Sequence, residues 1–369
     1  MTLTVPCLFG LESLVADEMR RLDLKNVRAE NGRVHCEGTL ADIARLNINL
    51  RCGARVLMEL GSFPARDFEA LFQGVYALPW EDYIPRDGEF PVKGYSLNSQ
   101  LHSVPACQSI VKKASAKRLG EKYGVETLPE SGSRYQIQFS IIKDVATLYL
   151  DTSGEGLYKR GYRAKNMGAP LRETLAAALV TLSRYRGKDP FCDPFCGSGT
   201  IPIEAALIAR NRAPGLNRAF DAEQWGFVPG NSWQQAKDEA RDREFHGSYD
   251  IWGGDVDPQA VAIARSNAHK AGVAEDIRFE VADMRTFHRD SPYGQLVTNP
   301  PYGERLLEKK EAEDLYRMFG AALRDLPPKW RVLVLSSHTE FERCFGRPAD
   351  KKRKLYNGMI KCDAFMYGR

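Results

Sequence analysis

The fold is decided by the stretch Asp193-Pro194-Phe195-Cys196-Gly197-Ser198-Gly199-Thr200. Residues 189–192 before it suit a buried strand, and residues 201–210 after it suit a helix. A glycine turn between strand and helix lets backbone approach a ligand and directs free N–H groups at polar ligand atoms. The spacing is not that of a phosphate loop, because no Gly-Lys-Ser/Thr follows, and Pro202 stands where Gly-x-Gly-x-x-Gly needs its third glycine. This stretch alone leaves open a tight turn without a ligand.

Two further motifs follow predicted strands. Asn299-Pro300-Pro301-Tyr302 comes directly after a short apolar run, and Gly253-Gly254-Asp255-Val256-Asp257 precedes a helical stretch over residues 259–271. Loops at the carboxyl ends of strands in one α/β sheet face the same crevice, so we expect the three motifs to meet there. An acid in that position accepts both hydroxyls of a ribose. Asp255 is the predicted acid, and Asp257 is the alternative.

The order of glycine turn, acid and Asn-Pro-Pro-Tyr resembles that of class I S-adenosylmethionine-dependent methyltransferases that methylate amino groups, over roughly residues 165–369. The resemblance implies an α/β, Rossmann-like domain with a mostly parallel sheet and a C-terminal antiparallel hairpin over residues 355–367. S-adenosyl-L-methionine is the implied cofactor, with Asp283 accepting the adenine amine between Val256 and Met284. The implied cofactor contacts are Asp193, Phe195, Gly197, Gly199, Thr200, Asp255, Val256, Asp283, Met284 and Asn299.

Length and composition limit the remaining possibilities. A chain of 369 residues predicts two or three domains, and a net charge of +4 permits a nucleic-acid partner without requiring one. The eight cysteines include no Cys-x-x-Cys pair, so we expect a reducing compartment, no disulfide framework and no metal site. No signal-peptide pattern and no 18-residue apolar run occur, which predicts a cytoplasmic protein without a membrane span. We expect a monomer.

The first sixty residues predict a small ferredoxin-like module. Two amphipathic helical segments alternate with short β-prone segments, and Asn31-Gly32 is a strong hairpin signal. The resulting order β-α-β-β-α-β is that of a ferredoxin-like fold. No residue in this module suggests chemistry, so residues 1–60 are predicted as a structural domain.

Residues 61–155 resemble a THUMP domain, an RNA-binding module. The resemblance rests on a Phe-Pro-Val-Lys strand at residues 90–93, a basic helix over 103–123 and two alternating strands over 135–142 and 145–150. It implies structured RNA held mainly through its phosphates. The predicted contacts on the basic helix are Lys112, Lys113, Lys117 and Arg118, although such cations also suit a simply solvated helix face.

A linker over residues 156–170 is predicted to join this half to a catalytic domain over 171–369. Aromatic residues alternate with cations in Leu157-Tyr158-Lys159-Arg160-Gly161-Tyr162-Arg163, a pattern that suits base stacking and phosphate contact. Lys159, Arg160 and Arg163 are therefore predicted RNA contacts, with an exposed connector as the alternative. Together with Ala169-Pro170-Leu171-Arg172-Glu173-Thr174, the stretch resembles the lead-in of THUMP-bearing guanine-N2 methyltransferases. The long insertion over residues 213–247 is interpreted as a cover over cofactor or substrate.

The Asn-Pro-Pro-Tyr loop predicts methylation of an exocyclic amine. The lone pair of such an amine is delocalised into the base, and two hydrogen-bond acceptors on its N–H bonds favour a pyramidal nitrogen that can attack a methyl group. Asn299 and the Pro300 carbonyl are the predicted acceptors, and Tyr302 is predicted to stack on a base rotated out of its helix. These three residues form the predicted catalytic set.

The same loop occurs in adenine-N6 DNA methyltransferases, so it specifies the kind of nitrogen and not the base. The THUMP-like half favours RNA, and the whole chain resembles bacterial 23S rRNA guanine-N2 methyltransferases in a short form with a single catalytic domain. The predicted reaction is methyl transfer from S-adenosyl-L-methionine to guanine N2 in large-subunit rRNA. A tRNA guanine-N2 methyltransferase, an adenine-N6 methyltransferase and a non-catalytic RNA-binding assembly factor remain alternatives, and the intact loop argues against the last.

Overall fold

The computed structural model describes residues 1–164, 170–304 and 306–368, and only the backbone of Leu306 and Leu307. Part of the predicted linker, residues 165–169, lies outside the described residues, as do Arg305 and Arg369. Two seven-stranded sheets organise the described chain. None of the described helices has the combination of length and apolar character that crossing a bilayer requires.

The first sheet belongs to the amino-terminal half. Its strands are β1 (Thr2–Pro6), β2 (Lys25–Glu30), β3 (Arg33–Glu37), β4 (Leu57–Pro64), β5 (Val92–Leu97), β6 (Ile137–Ile142) and β7 (Val145–Asp151). Its helices are α1 (Glu12–Arg21), α2 (Leu40–Asn49), α3 (Phe68–Tyr76) and α4 (Val104–Tyr123). The order β1-α1-β2-β3-α2-β4 is the predicted ferredoxin-like succession, with Asn31 and Gly32 as the turn between β2 and β3.

The strand order β2-β3-β1-β4-β7-β6-β5 shows how the two amino-terminal units are joined. Strand β4 pairs with β1 on one edge and with β7 on the other, antiparallel in both cases. The boundary predicted at residue 60 therefore falls inside a strand that both units share. One continuous hydrogen-bonded sheet runs through the ferredoxin-like module and the block that follows it.

The second sheet belongs to the carboxyl-terminal half. Its strands are β8 (Phe191–Asp193), β9 (Ile251–Asp255), β10 (Ile277–Val281), β11 (Tyr293–Thr298), β12 (Lys329–Ser336), β13 (Lys351–Asn357) and β14 (Ile360–Tyr367). Its helices are α5 (Glu173–Leu182), α6 (Thr200–Ala209), α7 (Ser232–Asp242), α8 (Pro258–Ala271), α9 (Leu306–Ala322) and α10 (Phe341–Phe345).

The order β10-β9-β8-β11-β12-β14-β13 is parallel except at its end, where β14 runs antiparallel to both β12 and β13. This is the predicted Rossmann-like sheet with a C-terminal antiparallel hairpin, and the fold-class prediction is confirmed. The chain direction across the sheet reverses between β8 and β11. Ligands bind outside the carboxyl ends of the strands at such a switch point.

The glycine turn between β8 and α6 requires both of its glycines. Gly197 has a φ of 51° and Gly199 a φ of 84°, in the left-handed region that side chains rarely adopt. A Cβ on Gly199 would lie 2.9 Å from the Ala264 Cβ, so this glycine lets the turn pack closely on α8. A Cβ on Gly197 would meet no atom within 4 Å, because this glycine faces open space.

The insertion over residues 213–247 packs against the amino-terminal half. The Trp225 ring stacks on Tyr135 with centroids 5.2 Å apart, and Trp225 Nε1 donates to the Arg134 carbonyl at 2.8 Å. Helix α7 lies against α2, where Arg45 and Glu239 form an ion pair at 3.4 Å. The interpretation of this segment as a cover over cofactor or substrate is wrong. Its tryptophans, Trp225 and Trp233, are buried, and Trp225 packs against the amino-terminal half.

A test of this contact compares two aromatic residues of the insertion. Trp225 is 2% exposed, so Trp225→Ala would leave a cavity between the halves and lower the free energy of unfolding by about 3–5 kcal/mol. Phe245 is 60% exposed, and Phe245→Ala is the matched control, with little expected effect. Urea unfolding followed by tyrosine and tryptophan fluorescence measures both. Equal stability of the two variants would contradict the packing role of Trp225.

Candidate active site

A cleft of about 650 Å³ lies at the carboxyl ends of β8, β9, β10 and β11. The three motifs singled out in the sequence converge on it, as the strand order requires. None of residues 213–247, all of which are described, lines it. The predicted site residues that line the cleft are Phe195, Gly197, Asp255, Val256, Asp283, Met284, Asn299, Pro300 and Tyr302.

Asp255 holds the glycine turn while facing the cleft. Its Oδ2 accepts from the Gly197 backbone N–H at 3.0 Å, and its Oδ1 accepts from the Asp257 N–H at 3.0 Å. Asp257 itself caps α8 by accepting from the Gln259 N–H at 2.9 Å, and it does not line the cleft. Of the two candidate acids, the geometry favours Asp255 as the ribose acceptor. Its contact with a cofactor stays a prediction.

Asp283 is already engaged by a neighbouring cation. Its Oδ2 accepts from Arg285 Nε at 2.8 Å and its Oδ1 from the Arg285 backbone N–H at 2.9 Å, and these bonds hold the pKa of the carboxyl below its usual range. A carboxylate has about four acceptor positions, so an adenine amine can bind beside the arginine. Val256 is 65% exposed and Met284 is buried. Val256 therefore offers much more accessible apolar surface to an adenine ring than Met284 does.

Three predicted cofactor contacts do not line the cleft. Asp193 lies beneath the turn, where its Oδ1 accepts from Thr298 Oγ1 at 2.6 Å and from the Phe195 N–H at 3.1 Å. Thr200 is 5% exposed, and its hydroxyl accepts from Arg163 at 3.0 Å. Gly199 faces α8. Asp193, Gly199 and Thr200 support the turn and do not line the cleft, so their contact with the cofactor stays a prediction.

Burial gives Asp193 an unusual acidity. The pKa of its carboxyl rises from 3.8 to about 7, because desolvation disfavours the charged form and the Asp255 carboxylate adds repulsion, while the bonds from Thr298 and Phe195 offset part of the rise. The Thr298 bond joins the end of β8 to the end of β11. Asp193 therefore ties the glycine turn to the strand that carries the Asn-Pro-Pro-Tyr loop.

Two other parts of the chain, the C-terminal hairpin and helix α9, hold the Asn-Pro-Pro-Tyr loop. The Tyr302 hydroxyl donates to Asn299 Oδ1 at 2.5 Å and accepts from Asn357 Nδ2 at 3.2 Å. The Tyr316 hydroxyl, on α9, donates to the Pro301 carbonyl. Within the described part of the chain, no donor contacts the Pro300 carbonyl. Burial raises the pKa of Tyr302, so its hydroxyl stays protonated and able to donate.

Sequence reasoning missed two members of this arrangement. Asn357 falls in the predicted C-terminal hairpin, which was given no role in the site, yet Asn357 and Ile360 line the cleft. Tyr316 stands in the amphipathic helix α9 as an ordinary core aromatic. A partner more than fifty residues away from Tyr302 carries no local sequence signal, and only the position of β14 between β12 and β13 brings the hairpin tip to the loop.

The four predicted RNA contacts of α4 include two exposed lysines and two cations that pair with glutamates. Lys113 and Lys117 are exposed. Lys112 instead donates to Glu130 at 2.6 Å and to the Phe90 carbonyl at 3.0 Å, and Arg118 makes two bonds to Glu81 at 2.7 and 3.0 Å. Lys112 and Arg118 are therefore paired within the THUMP-like block, whereas Lys113 and Lys117 are the cations of α4 that the geometry favours as RNA contacts.

The linker cations divide in the same way. Lys159 is exposed and forms an ion pair with Glu155, four residues earlier, at 2.5 Å. The Arg160 side chain is 2% exposed and paired with Glu204 at 2.7 Å, and Arg163 Nε donates to Glu173 at 2.9 Å. The prediction that Arg160 and Arg163 contact RNA is wrong. Their guanidinium groups fasten the linker to the catalytic half.

Fold and cleft together define a class I methyltransferase domain preceded by a ferredoxin-like module. Comparison with known families agrees over most of the chain. The RlmL ferredoxin-like domain matches residues 2–57, the THUMP domain matches 65–151, and the RMKL-like methyltransferase domain matches 160–365. The last match covers more than half of the chain, so the protein belongs to the RMKL-like methyltransferase family. The predictions of a THUMP domain, a methyltransferase domain and S-adenosyl-L-methionine as cofactor are confirmed.

Sequence relatives cover the chain from end to end. YpsC of Bacillus subtilis, provisionally named an RNA methyltransferase, is 44% identical over 99% of this chain and 95% of its own length. The ribosomal RNA large subunit methyltransferase K/L of Syntrophotalea carbinolica is 35% identical over 96% of this chain and 51% of its own length. The chain therefore spans about half the length of this K/L relative.

Solved structures share the whole fold. A protein of Listeria monocytogenes, provisionally named an N6-adenine-specific DNA methylase, is 46% identical with a TM-score of 0.94, covering 100% of this chain and 96% of that one. SMU.472, provisionally named a methyltransferase and solved in complex with SAH, is 42% identical with a TM-score of 0.93, covering 100% and 98%. The name of the Listeria monocytogenes protein states adenine in DNA as the substrate, whereas the name of SMU.472 states no substrate.

The role of Asp255 can be tested against that of Asp257. We expect Asp255→Ala to weaken S-adenosylhomocysteine binding by about 10- to 100-fold, because the charge-assisted acceptors for the ribose are lost. Asp257→Ala is the matched control, since it removes an exposed helix cap outside the cleft. Isothermal titration calorimetry measures both affinities. Full affinity in Asp255→Ala with loss in Asp257→Ala would reverse the assignment.

Asp193 predicts a pH dependence of stability. With a raised pKa of about 7, the folded state keeps the proton at pH values where the unfolded chain has lost it, so stability falls as the pH rises from about 4 to about 7. Asp193→Asn removes the titration and keeps an acceptor for Thr298. We expect its free energy of unfolding to rise relative to wild type by roughly 2–3 kcal/mol between pH 5 and pH 8. Urea unfolding at both pH values measures the difference, and parallel pH curves would refute it.

Proposed function

We propose that this protein transfers a methyl group from S-adenosyl-L-methionine to the exocyclic N2 amine of a guanine in structured RNA, and that large-subunit rRNA is the substrate. The observation that carries the proposal is the pair of acceptors at the Asn-Pro-Pro-Tyr loop, Asn299 Oδ1 and the Pro300 carbonyl, beside a glycine turn in a chain with a THUMP domain. The rRNA relatives support the choice of substrate.

The cleft fits the cofactor. The open space at Gly197, the inward-facing Asp255 carboxylate and the exposed Val256 side chain suit backbone approach, a ribose and an adenine ring respectively. When bound, S-adenosyl-L-methionine supplies an electrophilic methyl group on a sulfonium. The residues of this chain orient the ligand and exclude water from one side of it.

The loop prepares the amine for attack. Asn299 Oδ1 and the Pro300 carbonyl accept the two N–H bonds of the target amine, and this favours a pyramidal nitrogen whose lone pair points away from the base ring. Pro300 and Pro301 restrict the backbone, so the two acceptors are arranged before the base arrives. The methylated amine is acidic and releases its proton to water, so no strong base is required.

Tyr302 offers a surface for the base. Its ring lines the cleft and packs on the core, which holds it in place before RNA arrives. Stacking of a rotated base on such a ring contributes about 1–3 kcal/mol. The exposed cations Lys113, Lys117 and Lys159 are the proposed phosphate contacts that remain from the sequence predictions.

Adenine N6 in DNA is the second candidate reaction, favoured by the name of the Listeria monocytogenes structure. The amine chemistry of the loop is the same for both bases. The THUMP match favours RNA, and tRNA remains a possible RNA substrate alongside rRNA. A non-catalytic assembly factor would have no use for the paired acceptors of the loop.

Product analysis tests the proposal. Purified protein is incubated with S-adenosyl-L-methionine carrying a labelled methyl group and, separately, with unmodified transcripts of 23S rRNA, 16S rRNA and pooled tRNA, and with duplex DNA. Digestion to nucleosides and mass spectrometry then identify the product. We expect label in N2-methylguanosine from the 23S transcript. Label in N6-methyladenosine, in DNA or in tRNA alone would overturn the assignment of base or substrate.

Asn299→Ala tests the chemistry of the loop. Removing one transition-state hydrogen bond commonly lowers turnover by about 100-fold or more, and we expect that loss here. S-adenosylhomocysteine affinity should remain within about twofold of wild type, because the proposal assigns the Asn299 amide to the target amine and not to the cofactor contact that the resemblance also implied. Single-turnover methyl transfer and calorimetry provide the two readouts. Wild-type turnover in Asn299→Ala would refute the proposed mechanism.

A further inference from the structure

The hairpin between β13 and β14 reaches the Asn-Pro-Pro-Tyr loop at the Tyr302 hydroxyl, where both Asn357 and the Cys362 thiol hydrogen-bond with it. Asn357, the last residue of β13, donates from Nδ2 to the Tyr302 hydroxyl at 3.2 Å, and that hydroxyl donates to Asn299 Oδ1 at 2.5 Å. Asn357 also lines the cleft. We propose that Asn357 is a positioning residue for methyl transfer, which acts through Tyr302 to fix the orientation of the Asn299 amide. This inference rests on the proposed chemistry of the loop.

The direction of the hydrogen bonds makes the chain of three residues specific. A tyrosine hydroxyl has one proton to donate and can accept at its oxygen. Because the Asn357 amide nitrogen can only donate, it occupies the Tyr302 oxygen as a donor and leaves the Tyr302 proton for Asn299. Only an oxygen of the Asn299 amide can accept that proton, so the amide is held with Oδ1 toward Tyr302.

The orientation matters for the reaction. An amide oxygen has two acceptor positions, so Asn299 Oδ1 can accept from Tyr302 and from the target amine together. If the Asn299 amide turned over, its NH2 group would face the amine and repel the N–H bonds that the mechanism needs to engage. The Tyr302 hydroxyl remains protonated, because burial raises its pKa. This hydrogen-bonded chain of Asn357, Tyr302 and Asn299, called the relay below, therefore holds the Asn299 amide in the productive orientation before RNA binds.

The hairpin is itself held firmly, so Asn357 has a defined position. Leu355 is fully buried, and Arg353 donates to the Gly10 carbonyl of the ferredoxin-like module. Tyr356 packs edge-on against Phe9 with centroids 6.4 Å apart. The residues that fix the hairpin thus include two from the amino-terminal module, which connects that module to the reacting loop.

A double-mutant cycle tests the relay. Asn357→Ala removes the first hydrogen bond of the chain, and Tyr302→Phe removes both. Each variant should lower the single-turnover rate by about 10-fold, with the KM for 23S rRNA transcript unchanged by Asn357→Ala. The double variant should be about 10-fold slower and not about 100-fold slower, because both changes break the same chain. Independent effects that multiply to about 100-fold would overturn the relay.

Two further variants separate orientation from packing. Asn357→Asp has nearly the same shape but can only accept, so the Tyr302 proton would turn toward it and leave Asn299. We expect this variant to be at least as slow as Asn357→Ala, whereas a packing role would tolerate it. Met359 is 98% exposed at the same hairpin tip, and Met359→Ala is the matched control, with an unchanged single-turnover rate at saturating RNA. A rate for Asn357→Asp equal to wild type would overturn the proposal.

A structural readout makes the test independent of turnover. In a crystal structure of Asn357→Ala, we expect the Tyr302 hydroxyl to leave its 2.5 Å contact with Asn299 Oδ1. Retention of the contact would overturn the relay. A faster rate in Tyr302→Phe would also overturn it, since it would mean that Tyr302 competes with the target amine. Failure of the proposed function has a different signature, a product other than N2-methylguanosine, on which the same cycle can be measured.

Discussion

The buried ion pair between Arg160 and Glu204 is the contact on which the arrangement of the whole molecule depends. Both side chains are 2% exposed, and two buried charges are tolerated only when their hydrogen bonds are satisfied. Arg160 meets this condition by donating to Glu204, to the Leu157 carbonyl at 2.9 Å and to the Arg51 carbonyl at 2.7 Å. One guanidinium therefore joins the linker, the ferredoxin-like module and helix α6, which begins at the glycine turn. Loss of either partner would leave an unpaired charge in the interior.

Satisfied hydrogen bonds to buried groups also position the residues that line the cleft. Asp193 joins the ends of β8 and β11 through Thr298, and Asp255 holds Gly197 from the end of β9. Tyr316 and Asn357 hold the Asn-Pro-Pro-Tyr loop from α9 and from the terminal hairpin. The loop thus has few ways to move, and its acceptors are arranged without any contribution from RNA. Catalysis by alignment requires this kind of rigidity, because the enzyme supplies geometry while the cofactor supplies reactivity.

The sequence predicts the elements well and the long-range pairing of charges poorly. The hairpin at Asn31-Gly32, the glycine turn and the strand-end motifs are local patterns, so they can be read without knowing the tertiary structure. The ion pairs of Lys112 and Arg118 were not predicted, because their partners, Glu130 and Glu81, lie 18 and 37 residues away. A cation on a helix has the same appearance in the sequence whether it faces solvent or a distant carboxylate. The interpretation of the insertion as a cover was wrong for the same reason. A tryptophan such as Trp225 indicates burial, but the sequence does not show which part of the molecule it packs against.

The contacts between the two halves of the molecule fix the position of the THUMP domain relative to the cleft. The amino-terminal half shares one sheet, and its junction with the catalytic half is fixed by Arg160, by the Trp225 stack and by the contact of Arg353 with the Gly10 carbonyl. The distance between the exposed lysines of α4 and the cleft is therefore set by the fold and not by a flexible linker. An RNA held at those lysines would present to Asn299 only a base at a matching distance along its structure. Because the proposed chemistry of the loop distinguishes amines and not sequences, this fixed distance would supply a selectivity that the proposed catalytic residues themselves lack.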